Sequence, residues 1–189
     1  MASSATNAIP HIPSPIGQLP QSILYFRCLY EIVDDELSPT YSYDDTSGIY
    51  PLGAGISSFI NQVLSNSVDT ANRVDPLPGG PGTPVVIEQP CYVVMAIASA
   101  EDPQSFGIAQ LQNSGPVKTS DTYPDYFNRV LVHDSGSTGP AHVAYFRARS
   151  PKLTGSLDEI DHFNLYLMFP ISNGVGTGIL DPDIKNIGH

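Results

Sequence analysis

Hydrophobic and polar positions change their spacing several times along this chain. In residues 22–33, SILYFRCLYEIV, both alternating sets are aromatic or branched, interrupted only by Arg27 and Glu31. A strand apolar on both sides belongs inside a sheet whose two faces are covered, so a central strand is expected here. The next stretch, DDELSPTYSYDDTSGIYPLGAG, mixes acids, tyrosines, prolines and glycines without a period and reads as a long loop. From Ile56 the spacing becomes helical: Ile56, Phe59, Ile60, Val63, Leu64, Ser67, Val68 and Ala71 fall on one face. Asn61, Gln62, Asn66, Asp69 and Asn72 take the remaining surface, which predicts one long amphipathic helix covering a sheet face. The turn-rich DPLPGGPGTP ends it.

Beyond that point the pattern is strand-like, with runs at residues 85–88, 92–99, 106–111, 126–133, 142–149 and 163–169 separated by turn residues. One strand, one helix and then strands without intervening helices predict an α+β fold, mainly antiparallel β with a sandwich-like sheet. The beginning of the chain is different. Pro10, Pro13, Pro15 and Pro20 favour extended backbone and disallow a helix or a central strand. The expected organisation is therefore an extended Pro-rich N-terminal arm over residues 1–20 and a single β-rich globular domain over residues 21–189.

Composition narrows the possible partners. A net charge of −11 with only eight Lys and Arg argues against nucleic acid, whose affinity comes from cations neutralising phosphates. The same deficit disfavours anionic membranes. No run approaches the roughly 20 apolar residues of a transmembrane helix, so no membrane insertion is expected. The first residues lack a basic start before an apolar core, so no signal peptide is expected either. Cys28 and Cys91 lie in apolar stretches and read as buried reduced thiols, with a disulfide between them as the other possibility. These features suggest an intracellular (cytoplasmic) setting or a place within an assembled particle.

The segment RVLVHDSGSTGPAHVAYF, residues 129–146, holds the densest chemistry. Val130, Leu131 and Val132 followed by Asp134-Ser135-Gly136-Ser137 form a turn that resembles the active-site turn of aspartic proteases. The resemblance implies Asp134 as a catalytic carboxylate. Because that chemistry needs two carboxylates sharing a proton, and the chain has one such turn, it also implies a symmetric dimer. His133 separates the apolar run from Asp134, and Gly178-Ile179-Leu180 reverses the order of the supporting apolar-apolar-glycine motif. The plainer reading is a hairpin looped at residues 134–141, with His133 opposite His142, Leu131 opposite Ala144 and Arg129 opposite Phe146. Val130, Val132, Val143 and Tyr145 would then share the core side. That register would also set His133, Asp134 and His142 near one another as weak zinc ligands, with Asp161 or His162 as a further donor.

Other motifs fall short of a site. The acids at Asp34, Asp35 and Glu36, at Asp44 and Asp45, and at Asp181 and Asp183 offer oxygen ligands for Ca²⁺ without the EF-hand pattern. Gly53 and Gly55 precede the helix as in a dinucleotide fingerprint, but Ser58 stands in the third glycine position and the preceding segment reads as loop. No P-loop and no Gly-x-Ser-x-Gly elbow occurs. No catalytic residue and no cofactor is assigned.

The leading expectation is a non-enzymatic structural or interaction protein that self-associates, as a coat, filament or inclusion-type subunit does. Its charged fraction of 14% is low against the usual roughly 25%. Its ten tyrosines suit contacts, where the ring buries area and the hydroxyl keeps a partner. A homo-oligomer held through the N-terminal arm would use Ile9, Pro10, Ile12, Pro13 and Pro15, together with Tyr41, Tyr43 and Tyr50. The alternatives are a small-ligand or carbohydrate- and Ca²⁺-binding module around those three tyrosines, and a dimeric aspartic-type hydrolase using Asp134.

Overall fold

A computed structural model describes residues 20–77, 85–87, 91–99, 107–108, 117–119, 130–132, 143–148, 159–180 and 183–186. In chain order the elements are β1 (Ser22–Val33), β2 (Glu36–Tyr43), β3 (Gly48–Pro51), α1 (Ile56–Leu64), a 3-10 turn (Thr70–Asn72), β4 (Asp75–Pro76), β5 (Val85–Ile87), β6 (Cys91–Ser99), β7 (Gly107–Ile108), β8 (Val117–Thr119), β9 (Val130–Val132), β10 (Val143–Ala148), β11 (Glu159–Ile171), β12 (Gly174–Leu180) and β13 (Asp183–Asn186). Among the described residues the strands form two sheets. The first has the order β4-β3-β1-β6-β10-β9, with β2 also on β1; the second runs β12-β11-β13-β5, with β7 and β8 on β11. The fold is mixed α/β, rich in strands, with one α-helix among the described residues.

Strand β1 is central, as its two apolar faces require. Ile23 and Tyr25 point to the side where Val94, Ala96, Val143 and Tyr145 meet Ile56, Phe59 and Ile60 of α1. The Phe59 ring stands edge-on to Tyr25, with centroids 5.4 Å apart. The alternate set, Leu24, Phe26, Cys28 and Tyr30, is buried too, alongside Val93, Met95 and Ile97 of β6. Each large side chain so enclosed contributes about 1.5–3 kcal/mol relative to exposure.

Three sequence expectations change in the structure. The stretch read as a long loop is mostly strand: β2 and β3 run back along β1. Asp34 and Asp35, with φ of 53° and 64°, form the tight turn between β1 and β2, a conformation short polar side chains tolerate. Pro39 falls where the register of β2 shifts between Tyr30 and Ile32, in a bulge that needs no N–H from it. Alternation failed as a signal because this register shift interrupts the pairing.

The helix is shorter than its periodicity suggests. It stops at Leu64, where Asn66 takes φ 54° and the N–H groups of Asn66 and Ser67 donate back to Val63 and Gln62. This is the Schellman closure, with Asn in the position glycine usually holds. Val68 lies beyond it yet still packs on the same cluster, which is why the apolar spacing outlasts the helix. The sheet is also less uniformly antiparallel than expected. Its central pair β1 and β6 is parallel from Ser22 opposite Cys91 to Tyr30 opposite Ser99, and β5 and β13 are parallel as well. A parallel pair needs a long crossover, and the chain between β1 and β6, with α1 in it, supplies one.

The edge of β1 facing β2 and β3 would lose its hydrogen bonds at Arg27, where the two strands are interrupted by residues 44–47. There the Arg27 N–H donates to Ser47 Oγ at 2.8 Å, and the Asp44 N–H donates to the Arg27 carbonyl at 2.8 Å. Ser47 is 2% exposed and replaces a strand partner with a side chain. Ser47→Ala should therefore leave a buried N–H unpaired and lower stability by about 1–3 kcal/mol, read as a shifted denaturant midpoint at unchanged slope.

Candidate functional site

The best-connected polar cluster among the described residues grows from this interruption. Asp44 Oδ1 accepts from the Thr46 N–H at 2.8 Å and from the Thr46 hydroxyl at 2.7 Å, closing a short Asx turn. Asp44 Oδ2 stands 3.9 Å from Arg27 Nε, and the Arg27 guanidinium also donates to Asn66 Oδ1 at the end of α1. A cation there faces the negative end of the helix dipole. Arg73 reaches across Gly48 to donate to the Asp45 and Ser47 carbonyls, and a Cβ on Gly48 would overlap its side chain. The Tyr50 hydroxyl donates to the Thr46 carbonyl.

Burial pushes the Asp44 carboxyl up, but the Thr46 hydrogen bonds, and then Arg27, outweigh it and hold the group below the usual carboxylate range. The cluster thus stabilises an ionised aspartate; it does not prepare a proton donor. Each polar group named above already has a partner within the fold. The arrangement clasps strand, turn and helix end together, and its chemistry is structural.

The residues singled out in the sequence scatter. Tyr50 is 2% exposed and packs on Phe59 and Tyr25, at centroid distances of 5.0 and 6.3 Å. It pairs with Ile23, whereas Tyr43 pairs with Cys28, which places Tyr43 on the opposite face of the sheet; the backbone of Tyr41 pairs with Tyr30. Tyr43 rests against Phe26, centroids 5.5 Å apart. Tyr43 and Tyr50 therefore do not share one face. Of the arm, Ile9, Pro10, Ile12, Pro13 and Pro15 lie outside the described residues, as do His133, Asp134 and His142. The strands flanking that turn do pair in the expected register, Leu131 opposite Ala144. Asp161 and His162 sit in β11, opposite Ile184 and Asp183, in the other sheet.

The acidic motifs also acquire positions. Asp35 Oδ1 accepts from the backbone N–H of Ser172 at 2.8 Å and from its hydroxyl at 2.9 Å, linking the β1–β2 turn to the β11–β12 turn. Among the described residues, no three His, Cys, Asp or Glu side chains gather as a metal site would need. Gly53 and Gly55 have φ of 51° and 99°, so backbone conformation accounts for both glycines. The segment before them is strand β3, not the loop expected. Arg27, Ser47, Asn66 and Arg73 were missed by sequence reasoning. An arginine inside an otherwise apolar strand was the only advance signal.

The cysteines are free and buried. Cys28 is opposite Ile97, while Cys91 is opposite Ser22, six residues earlier in β1. At about 3.3 Å per residue that separation far exceeds the roughly 7 Å limit for a disulfide. Burial pushes both thiols up to about 12.

No protein-family model matches the chain, and no curated protein is significantly similar to it in sequence.

Two outcomes are expected. Neither thiol should react with an aromatic disulfide reagent at pH 8 in the native protein, and both should react in denaturant; fast native labelling would contradict their burial. Because the folded Asp44 carboxyl lies below its unfolded value near 3.9, its contribution is present above about pH 4 and is lost as the pH falls through the folded value. Asp44→Asn should consequently cost about 1 kcal/mol at pH 7 and flatten the fall in melting temperature below about pH 4.

Proposed function

We propose that this protein is a non-enzymatic structural or interaction protein that self-associates, as a subunit of a coat, filament or inclusion. The observation that carries the reading is apolar exposure on a surface with few charges. Val175 is 61%, Val74 64%, Val33 56% and Met168 38% exposed, in a chain with a charged fraction of 14%. Exposed apolar side chains suit a contact surface, and a low density of charged groups leaves fewer of them to desolvate there. Val33 and Val175 flank the two turns that Asp35 and Ser172 tie together.

In this reading the residues from 21 onward form one globular domain in which the two sheets pack as a sandwich and α1 lies over the outer face of the first. The burial of Phe26, Cys28 and Met95 on the side away from α1 supports a cover there, and the Asp35–Ser172 link supports the second sheet as that cover. The proline-studded arm, residues 1–20, grips a neighbouring copy, and the protein works inside the cell or inside the particle it builds. Among the described residues no helix is long and apolar enough to cross a membrane.

Light scattering coupled to size exclusion tests this on the full chain and on a variant lacking residues 1–20. The full chain should be oligomeric, and the shortened one should dissociate at least tenfold more readily. A monomer at high concentration in both would refute the proposal.

A further inference from the structure

We infer that Asn173 is a site of spontaneous self-modification: the backbone nitrogen of Gly174 attacks its side chain and converts it to aspartate or isoaspartate, at a rate governed by the link between Asp35 and Ser172. The inference does not depend on the reading that the protein self-associates.

The chain has one Asn-Gly step, Asn173-Gly174. A following glycine matters because the reaction needs the next residue's nitrogen to reach the asparagine side chain, and a Cβ on that residue obstructs the approach. Two other exposed asparagines show the contrast. Asn66 precedes Ser67; its Oδ1 accepts from Arg27, and the Ser67 N–H donates to the Gln62 carbonyl at 2.8 Å. Asn72 precedes Arg73; its side chain donates to Asp69 at 2.8 Å, and the Arg73 N–H donates to the Thr70 carbonyl at 3.1 Å.

The fold sets how easily the reaction starts at Asn173. With Ser172 it forms the two-residue turn between β11 and β12, and residues 172–175 are all exposed. Gly174 has φ 148°, a conformation that favours glycine, and its surroundings are open enough that an added Cβ meets no atom of the described residues within 4 Å beyond its chain neighbours. Gly174 pairs with Ile171 to close the turn, so its nitrogen is released when the hairpin end opens. Such ends open at far less cost than a core does. Asp35 holds this one. Its Oδ1 accepts from the Ser172 N–H at 2.8 Å and from the Ser172 hydroxyl at 2.9 Å, tying the turn to the one between β1 and β2.

A solvent base first takes the Gly174 amide proton. The nitrogen then bonds to Asn173 Cγ, the Cγ–Nδ2 bond breaks, and ammonia leaves with a proton from water, closing a succinimide ring. Water reopens the ring at either of two carbons. Addition at Cγ breaks its bond to nitrogen and leaves aspartate; addition at the main-chain carbonyl carbon breaks that carbon's bond to nitrogen and leaves isoaspartate, with the backbone running through Cβ and Cγ. Either route consumes one water and releases one ammonia. Both products carry a new carboxylate next to Ser172, where Asp35 already brings one, and like charges so placed repel. Isoaspartate also lengthens the backbone of a two-residue turn. The product therefore loosens the link that slowed its own formation.

The test incubates the full chain at mildly alkaline pH, maps residue 173 by peptide mass spectrometry and counts isoaspartate by enzymatic methylation. Parallel samples are Asn173→Gln, Asp35→Ala, Ser172→Ala and the parent in denaturant. The folded parent should convert at 173 more slowly than the denatured chain does, and Asn173→Gln should stay unmodified. Asp35→Ala should convert at least about fivefold faster than the parent, and Ser172→Ala, which keeps the backbone N–H bond, should fall between them. In the converted parent the Ser172 amide should exchange faster than in Asn173→Gln. A folded parent still unmodified at 173 when the denatured chain has converted would overturn the site. Conversion of Asp35→Ala and Ser172→Ala at the parent's rate would overturn the control by Asp35; if circular dichroism finds Asp35→Ala unfolded, Ser172→Ala decides that point alone.

Discussion

A strand buried on both faces has no water to satisfy its backbone, so every N–H and C=O along both edges must find a protein partner. β1 is under that constraint for most of its length, and Arg27 is where meeting it is hardest. On one side β6 supplies an unbroken parallel ladder. On the other, β2 and β3 are separated by residues 44–47, and the bonds to Arg27 come from Ser47 Oγ and the Asp44 N–H. The interruption brings an ionised aspartate and a hydroxyl into the sheet. The Arg27 side chain then carries the local charge balance out to Asp44 and to the end of α1.

The rest of the first sheet follows from this junction. The turn at residues 44–47 directs β3 onto the first half of β1, which places Tyr50 under α1 next to Tyr25 and Phe59. Arg73 crosses Gly48 and fastens the same turn from the outside, after the chain has passed through α1 and its Asn66 closure. The Phe59 ring packs on Tyr25 and Tyr50, and Arg27 donates to Asn66 just past the end of α1. The tyrosine that seemed suited to bind a partner is instead committed to the core.

The second sheet is organised around β11 in a different way. β12 and β13 continue one register along it, from Ile171 opposite Gly174 to Glu159 opposite Asn186. The glycines of β12 are costly in a strand, since they lose more backbone freedom than other residues and pack no side chain. At Gly176 the Phe169 ring recovers part of that loss by filling the space.

How much of this was legible in the residues depends on whether the signal was local. The limits of β1 followed from its unbroken run of branched and aromatic residues, and the pairing of Leu131 with Ala144 followed from a turn between two apolar runs. The start of α1 at Ile56 was set by helical spacing after two glycines. Strand β2 was hidden because acids, prolines and a bulge interrupt its pattern, and the stop at Leu64 because Val68 is apolar for tertiary reasons. By itself the sequence determined which segments are apolar enough to be buried and how few cations the chain carries, since apolar spacing and charge are read from the residues alone. Only the tertiary structure decided that β1 and β6 run parallel, that Ser47 completes a ladder twenty residues away and that the cysteines cannot meet. Those facts depend on which distant segments lie side by side, and chain order alone does not state that.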